Sequence, residues 1–140
     1  MRVHFGCAET SPGVWITRFN DPTFRTPSHW DELRQLSLQH NKVLVLGIFD
    51  WSNYSHSVVT HIIDNREYFE THGIGLAAFC ACSASQVALL CPDFLSHYLR
   101  AKTEPLMFVL ERGSLKKARF GPMDSSSILK WVLSDSTADH

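Results

Sequence analysis

Side chains able to do chemistry gather in two stretches of the chain. In Trp51-Ser52-Asn53-Tyr54-Ser55-His56, two hydroxyls follow an apolar run, the form of a strand delivering a short loop onto a helix. A serine nucleophile needs a base in reach and an acid to orient that base. His56 and His61 are the nearest bases and Asp50 adjoins the loop. No glycine flanks Ser52 or Ser55, however, as a hydrolase elbow requires. The simpler role for Ser52 is a helix cap, its hydroxyl accepting a backbone N–H.

The second stretch holds Cys80, Cys82 and Cys91. Cys80 and Cys82 stand two apart on an apolar segment, so on a strand they share one face. They invite two readings. One is a redox pair, such as Cys82 with Cys91, whose thiol a helix N-terminus would acidify. The other is that they are small buried apolar residues. Cys7 falls in a polar stretch and reads as an exposed thiol. A metal site helped by a histidine is a further reading, but structural zinc usually shows Cys-x(2–4)-Cys or histidine pairs, and only the Cys-x-Cys of Cys80 and Cys82 appears. The 8 histidines are dispersed without His-x-x-x-His spacing and read as surface residues. No metal and no cofactor is expected.

Charge narrows the partners. A net charge of -1 provides no electrostatic footing for nucleic acid or an anionic membrane. The densest basic cluster, Lys116, Lys117 and Arg119, reads as a solvated strand face. No apolar run reaches the length of a membrane span, and the first residues carry no apolar signal core. Four cysteines in 140 residues do not make a disulfide scaffold. The expectation is a cytoplasmic protein with reduced thiols. Its hydrophobic share of 44% is enough to bury the core of one domain.

The elements that position these residues follow from periodicity. Residues 1–13 are polar and carry Gly6, Pro12 and Gly13, which predicts a flexible arm. Val14–Phe19 alternates as a short strand. Ser28 opens a helix with Asp31 in a capping-box arrangement, and Trp30, Leu33 and Leu36 form its apolar stripe. Lys42–Phe49 is almost wholly apolar, as suits a strand covered on both faces. Ser52–Phe69 predicts one long helix, and residues 73–82 a second buried strand. Residues 83–90 fit either a loop or a short helix, and Cys91-Pro92-Asp93 starts another helix. Residues 105–121 read as a hairpin about Glu111-Arg112-Gly113-Ser114. Asp124 caps a last helix bearing Ile128, Leu129 and Val132; Trp131 there suits either packing or contact. Residues 135–140 form a frayed tail. The order β-α-β-α-β-α-β-β-α predicts an α/β fold, a mixed sheet between helices, over residues 14–134.

Taken together these features resemble the thioredoxin family. Trp51-Ser52-Asn53-Tyr54-Ser55-His56 occupies the place of that family's Trp-Cys-X-X-Cys-Lys at the start of a long helix. The segment "TEPLMFVLERGSLKKARFG" resembles the part around its cis-proline, hairpin turn and final glycine. The resemblance spans residues 42–132. It implies a three-layer α/β/α sandwich, with Pro105 at the cis-proline position, Gly113 at the turn and Gly121 after the final strand. It also implies that the redox machinery is gone: Ser52 and Ser55 replace nucleophile and resolver. Leu46 stands for the buried acid, and Thr60 for the kinking proline. Disulfide exchange needs a thiolate, so dithiol chemistry at this loop is excluded.

What the resemblance leaves is a surface. The family's peptide-binding patch maps to Trp51, Asn53, Tyr54, Glu104, Pro105, Gly121 and Pro122, where an extended protein or peptide segment would pair with backbone near Glu104. The first expectation is a redox-inactive binding module using that groove. The second is a thiol oxidoreductase or redox sensor relocated to Cys80, Cys82 or Cys91. A third is a packing role inside a larger assembly.

Overall fold

The computed structural model describes residues 5–49, 53–81, 106–120 and 123–134. Its centre is β3 (Lys42–Ile48), in which every residue from Val43 to Ile48 is buried. Such a strand must be covered on both faces. It runs parallel to β4 (Ile74–Cys80), from Lys42 opposite Ile74 to Ile48 opposite Cys80. On its other side it is antiparallel to β5 (Leu106–Glu111), which turns back into β6 (Ser114–Phe120). The sheet order is β4-β3-β5-β6. The mixed α/β architecture expected from the sequence is therefore present.

Alternation along the strands sorts the core into two. Leu44, Leu46, Ile48, Met107 and Val109 pack with Val58, Val59, Ile62 and Ile63 of α2 (Asn53–Asp64), Phe69 of α3 (Arg66–Thr71) and Ile128 and Val132 of α4 (Ile128–Leu133). The opposite parity sends Val43, Val45, Phe79, Phe108 and Leu110 against Leu33 of α1 (Trp30–Gln39). Phe79 and Phe108 meet edge-on, with ring centroids 6.0 Å apart. Helices thus cover both faces of one sheet.

Local chemistry explains the turns. Arg112 and Gly113 both hold positive φ, 53° and 80°, as a two-residue hairpin turn of type I′ demands. The Gly113 N–H donates to Ser37 Oγ at 2.8 Å, tying the hairpin to α1. The N-cap of α4 is Ser127, without a side-chain cap, rather than Asp124, which instead opens the 3-10 turn Ser125–Ser127 that leads into the helix. Asp124 Oδ1 accepts the Ser126 N–H at 3.3 Å and its carbonyl the Ser127 N–H at 2.8 Å.

Several expectations are corrected. Residues 5–11, expected within a flexible arm, form β1 (Phe5–Ser11), antiparallel to β2 (Val14–Phe19). Gly13 turns between them at φ 79°. Phe5 anchors this hairpin by stacking on His56 of α2 at 4.1 Å. The long helix of residues 52–69 is broken at Asn65, whose Nδ2 donates to the His61 carbonyl at 2.8 Å. Arg66 takes the Ile63 carbonyl at 2.9 Å. Side chains so placed compete for the carbonyls that continue a helix. The N-cap of α1 is His29, without a side-chain cap, rather than Ser28; Glu32, not Asp31, reaches back to Ser28, accepting its N–H at 3.1 Å and its hydroxyl at 3.3 Å.

Lys117 is not on a solvated face. It is 4% exposed and its Nζ donates to the Trp131 carbonyl, and to that of Ser134 at 2.7 Å. Lys42 Nζ donates to the Val132 carbonyl at 3.2 Å. Two ammonium groups therefore meet the C-terminus of α4, the end where the helix dipole favours cations. The helix expected from Cys91, residues 83–90 and the tail 135–140 lie outside the described residues.

One glycine carries the junction between α3 and β4. Gly73 follows the helix at φ +71°, and its carbonyl accepts the Asn41 N–H at 2.9 Å. A Cβ there would lie 2.5 Å from Asn41 Nδ2. Gly73→Ala is expected to cost about 1–3 kcal/mol in urea unfolding, from left-handed strain and the clash. Gly6→Ala, where a Cβ meets nothing within 4 Å, should change stability by no more than about 0.5 kcal/mol.

Candidate functional site

The C-terminal end of β3 sets the site. After Ile48 the chain passes Phe49, and α2 begins at Asn53. Ser55, in the first turn of α2, is fully buried, and its hydroxyl accepts the Phe49 N–H at 3.3 Å. The residue aligned with the family's resolving cysteine thus holds the backbone at Phe49. Leu46, at the position of the family's acid, is completely buried among apolar neighbours facing α2. Thr60 is exposed on the outer side of that helix.

Tyr54 is half-buried against the core rather than free at a loop tip. Its hydroxyl donates to the Met123 carbonyl at 2.5 Å and accepts the Met123 N–H at 2.6 Å. Both polar groups of one residue are thereby satisfied by one phenol, which a phenylalanine could not do. The clamp pins the residue directly after Pro122 against the first turn of α2. The first turn of α2 is thus joined to Met123, 69 positions further along the chain. Asn53 is exposed beside them. Trp51, Ser52, Glu104, Pro105, Gly121, Pro122, Cys82 and Cys91 lie outside the described residues.

A feature that the sequence did not disclose is a disulfide between Cys7 and Cys80, which are 73 positions apart in the chain and have Cα atoms 5.9 Å apart. That distance is ordinary for a bridged pair. Cys7 is therefore not a free exposed thiol, and Cys80 is neither a free redox thiol nor merely a buried apolar residue. Cys80 is wholly buried at the end of β4, opposite Ile48, whose carbonyl accepts the Ala81 N–H at 3.0 Å. Thr17 Oγ1 of β2 donates to Cys80 Sγ at 3.0 Å. Cys7 is only partly buried. The bond fastens the β1–β2 hairpin to the same end of the sheet from which the loop departs. No spacing rule pairs Cys7 with Cys80; the one legible hint was a cysteine alternating with Phe5 in the N-terminal segment.

The nucleophile reading gains nothing from this geometry. His56 is stacked on Phe5, and the Ser55 hydroxyl is engaged with backbone. Among the described residues no group of three or more His, Cys, Asp or Glu side chains is placed to hold a metal ion. No described helix is long and apolar enough to cross a membrane.

With this geometry in view, comparison with known proteins is informative on fold alone. No family model matches the sequence, and no curated protein matches it. Solved structures do match in shape. Mitochondrial thioredoxin 3 of Saccharomyces cerevisiae superposes with a TM-score of 0.54 at 14% identity, covering 76% of this chain and 90% of that one. Thioredoxin of Malassezia sympodialis gives 0.55 at 12% identity, over 76% and 87%. A structure concerning thiol resolution in a yeast mitochondrial 1-Cys peroxiredoxin gives 0.54 at 15% identity, over 76% and 90%. The fold is thioredoxin-like. At such identities it carries no activity with it.

The clamp makes a direct prediction. Tyr54→Phe removes the hydroxyl and leaves the Met123 N–H and carbonyl to water. It should cost about 1–2 kcal/mol and speed amide hydrogen exchange at Met123 and in the first turn of α2. Unchanged exchange there would show that the phenol holds nothing in solution.

Proposed function

We propose that this chain is a binding module on a thioredoxin-like fold, which docks an extended protein or peptide segment at the loop groove and performs no dithiol exchange there. The observation that supports it is the Tyr54–Met123 clamp. It commits the Tyr54 hydroxyl to holding Met123 against the first turn of α2, while the buried Ser55 hydroxyl serves backbone. A site so built keeps a fixed shape and has no sulfur to transfer electrons through. Trp51, Glu104 and Pro105 would supply the contacts, and aromatic anchors commonly dominate such interfaces. In the insulin-reduction assay the protein should not raise the rate above that of dithiothreitol alone. Photo-crosslinking from a benzophenone placed at Asn53 should capture partner segments, and Trp51→Ala should abolish the capture. Reduction of insulin at thioredoxin-like rates, or capture indifferent to Trp51→Ala, would refute this reading.

The Cys7–Cys80 bond favours a second reading, a redox-sensing function. Disulfides are rare in the reducing cytoplasm and, where present there, are usually catalytic or sensing. A dithiol reductant would attack the partly exposed Cys7 sulfur, expelling Cys80 as thiolate. Its second thiol would then release Cys7, leaving the reductant as a disulfide and two thiols on this chain. Two electrons and two protons are transferred in all. The bond closes a loop of 73 positions; by chain entropy this contributes about 4 kcal/mol. Cys7→Ser should therefore lower stability by about 2–4 kcal/mol and free the β1–β2 hairpin to proteolysis. Alkylation with mass spectrometry should label Cys7 and Cys80 only after reduction. Labelling of both before reduction would remove this reading.

A further inference from the structure

A second groove lies away from the loop, where the chain between β2 and α1 runs along the edge of the sheet. Arg25 forms a single parallel bridge with Ala77 of β4: its N–H donates to the Leu76 carbonyl and its carbonyl accepts the Ala78 N–H, both at 2.9 Å. In extended chain, alternate residues present their polar groups to opposite sides. The N–H and carbonyl of Thr26 therefore face away from the sheet. Pro27 follows, which restricts Thr26 to extended backbone. Among the described residues no hydrogen bond joins the Thr26 backbone to a neighbour.

Beside this edge is an open groove of about 660 Å³ between the segment and α1. Its lining includes the apolar Pro27 and Leu36, the amide of Gln35, the carboxylates of Asp31 and Glu32, and Arg25 as an opposing charge. Glu32 is committed to Ser28 and, at 3.5 Å, to His29. Asp31 is exposed and has no ion pair among the described residues.

We propose that this groove binds an extended peptide by strand addition at Thr26, the peptide carrying a basic residue two positions from an apolar one. Side chains two apart on a strand share a face, so the apolar residue rests on Pro27 and Leu36 while the basic one meets Asp31. The peptide's own backbone gives one N–H and takes one N–H from Thr26, the main-chain mode of edge recognition. Pro22 and Pro27 bracket the edge, so pairing is short. Arg25 disfavours a uniformly basic segment. This site is distinct from the loop groove and shares no residue with it.

The test is an amide NMR titration with the acetylated peptide Ser-Lys-Thr-Val-Thr-Val-Ser. Saturable shifts centred on Thr26 and α1, with slowed exchange of the Thr26 amide, support the site. Three changes should each weaken binding by about fivefold, the scale of one net hydrogen bond or ion pair. These are Asp31→Lys, replacement of the peptide lysine by glutamate, and N-methylation of the peptide amide opposite the Thr26 carbonyl. The N-methyl peptide leaves the protein untouched, so its effect cannot arise from misfolding. Trp51→Ala should leave this binding unchanged, separating it from the loop groove. No saturable shift up to millimolar peptide, equal binding of the N-methylated peptide, or self-association through Thr26 without peptide would overturn the proposal.

Discussion

The whole architecture depends on the apolar character of β3. From Val43 to Ile48 every residue is buried, and a strand with no polar face cannot lie at a surface. It must have strands on both sides and helices on both faces. Its own parity then divides the core, with Leu44, Leu46 and Ile48 toward α2 and Val43 and Val45 toward α1. The loop that follows inherits its position from this strand. So does Cys80, held opposite Ile48 by the parallel register of β4. One constraint thus sets the end of β3 beside the disulfide.

Within that frame, the side chains around the end of β3 make structural contacts. Leu46 adds to the core. The Ser55 hydroxyl braces Phe49, and Tyr54 ties α2 to Met123. Both contacts fix the start of α2 in place. The Cys7–Cys80 bond lies at the same sheet end, on a hairpin packed over α2 through Phe5 and His56.

What was legible in the sequence was what short-range patterns encode. The unbroken apolar run of β3, the glycine-bearing turn at Arg112-Gly113 and the stripe of α1 each follow from a few neighbouring residues. What was not legible depended on partners far along the chain. β1 looks polar, and only its contacts with β2, His56 and Cys80 make it a strand. Lys117 reads as a surface cation until α4 brings its last carbonyls over it. At the candidate site Tyr54 was recognised as important, but its hydroxyl partner lies 69 positions away. The break at Asn65 is the exception. It is local, but helix propensity and apolar spacing carry no information about a side chain that turns back onto its own carbonyls.

The most direct test of the account is to return sulfur to the loop. In the double variant Ser52→Cys with Ser55→Cys, mildly oxidised and digested, mass spectrometry should find a new bridge between positions 52 and 55 alongside the Cys7–Cys80 bridge. That result would show that the loop keeps the geometry of a dithiol site and lacks only its thiols. Failure of the two introduced cysteines to pair, with the protein folded and the Cys7–Cys80 bridge intact, would contradict it.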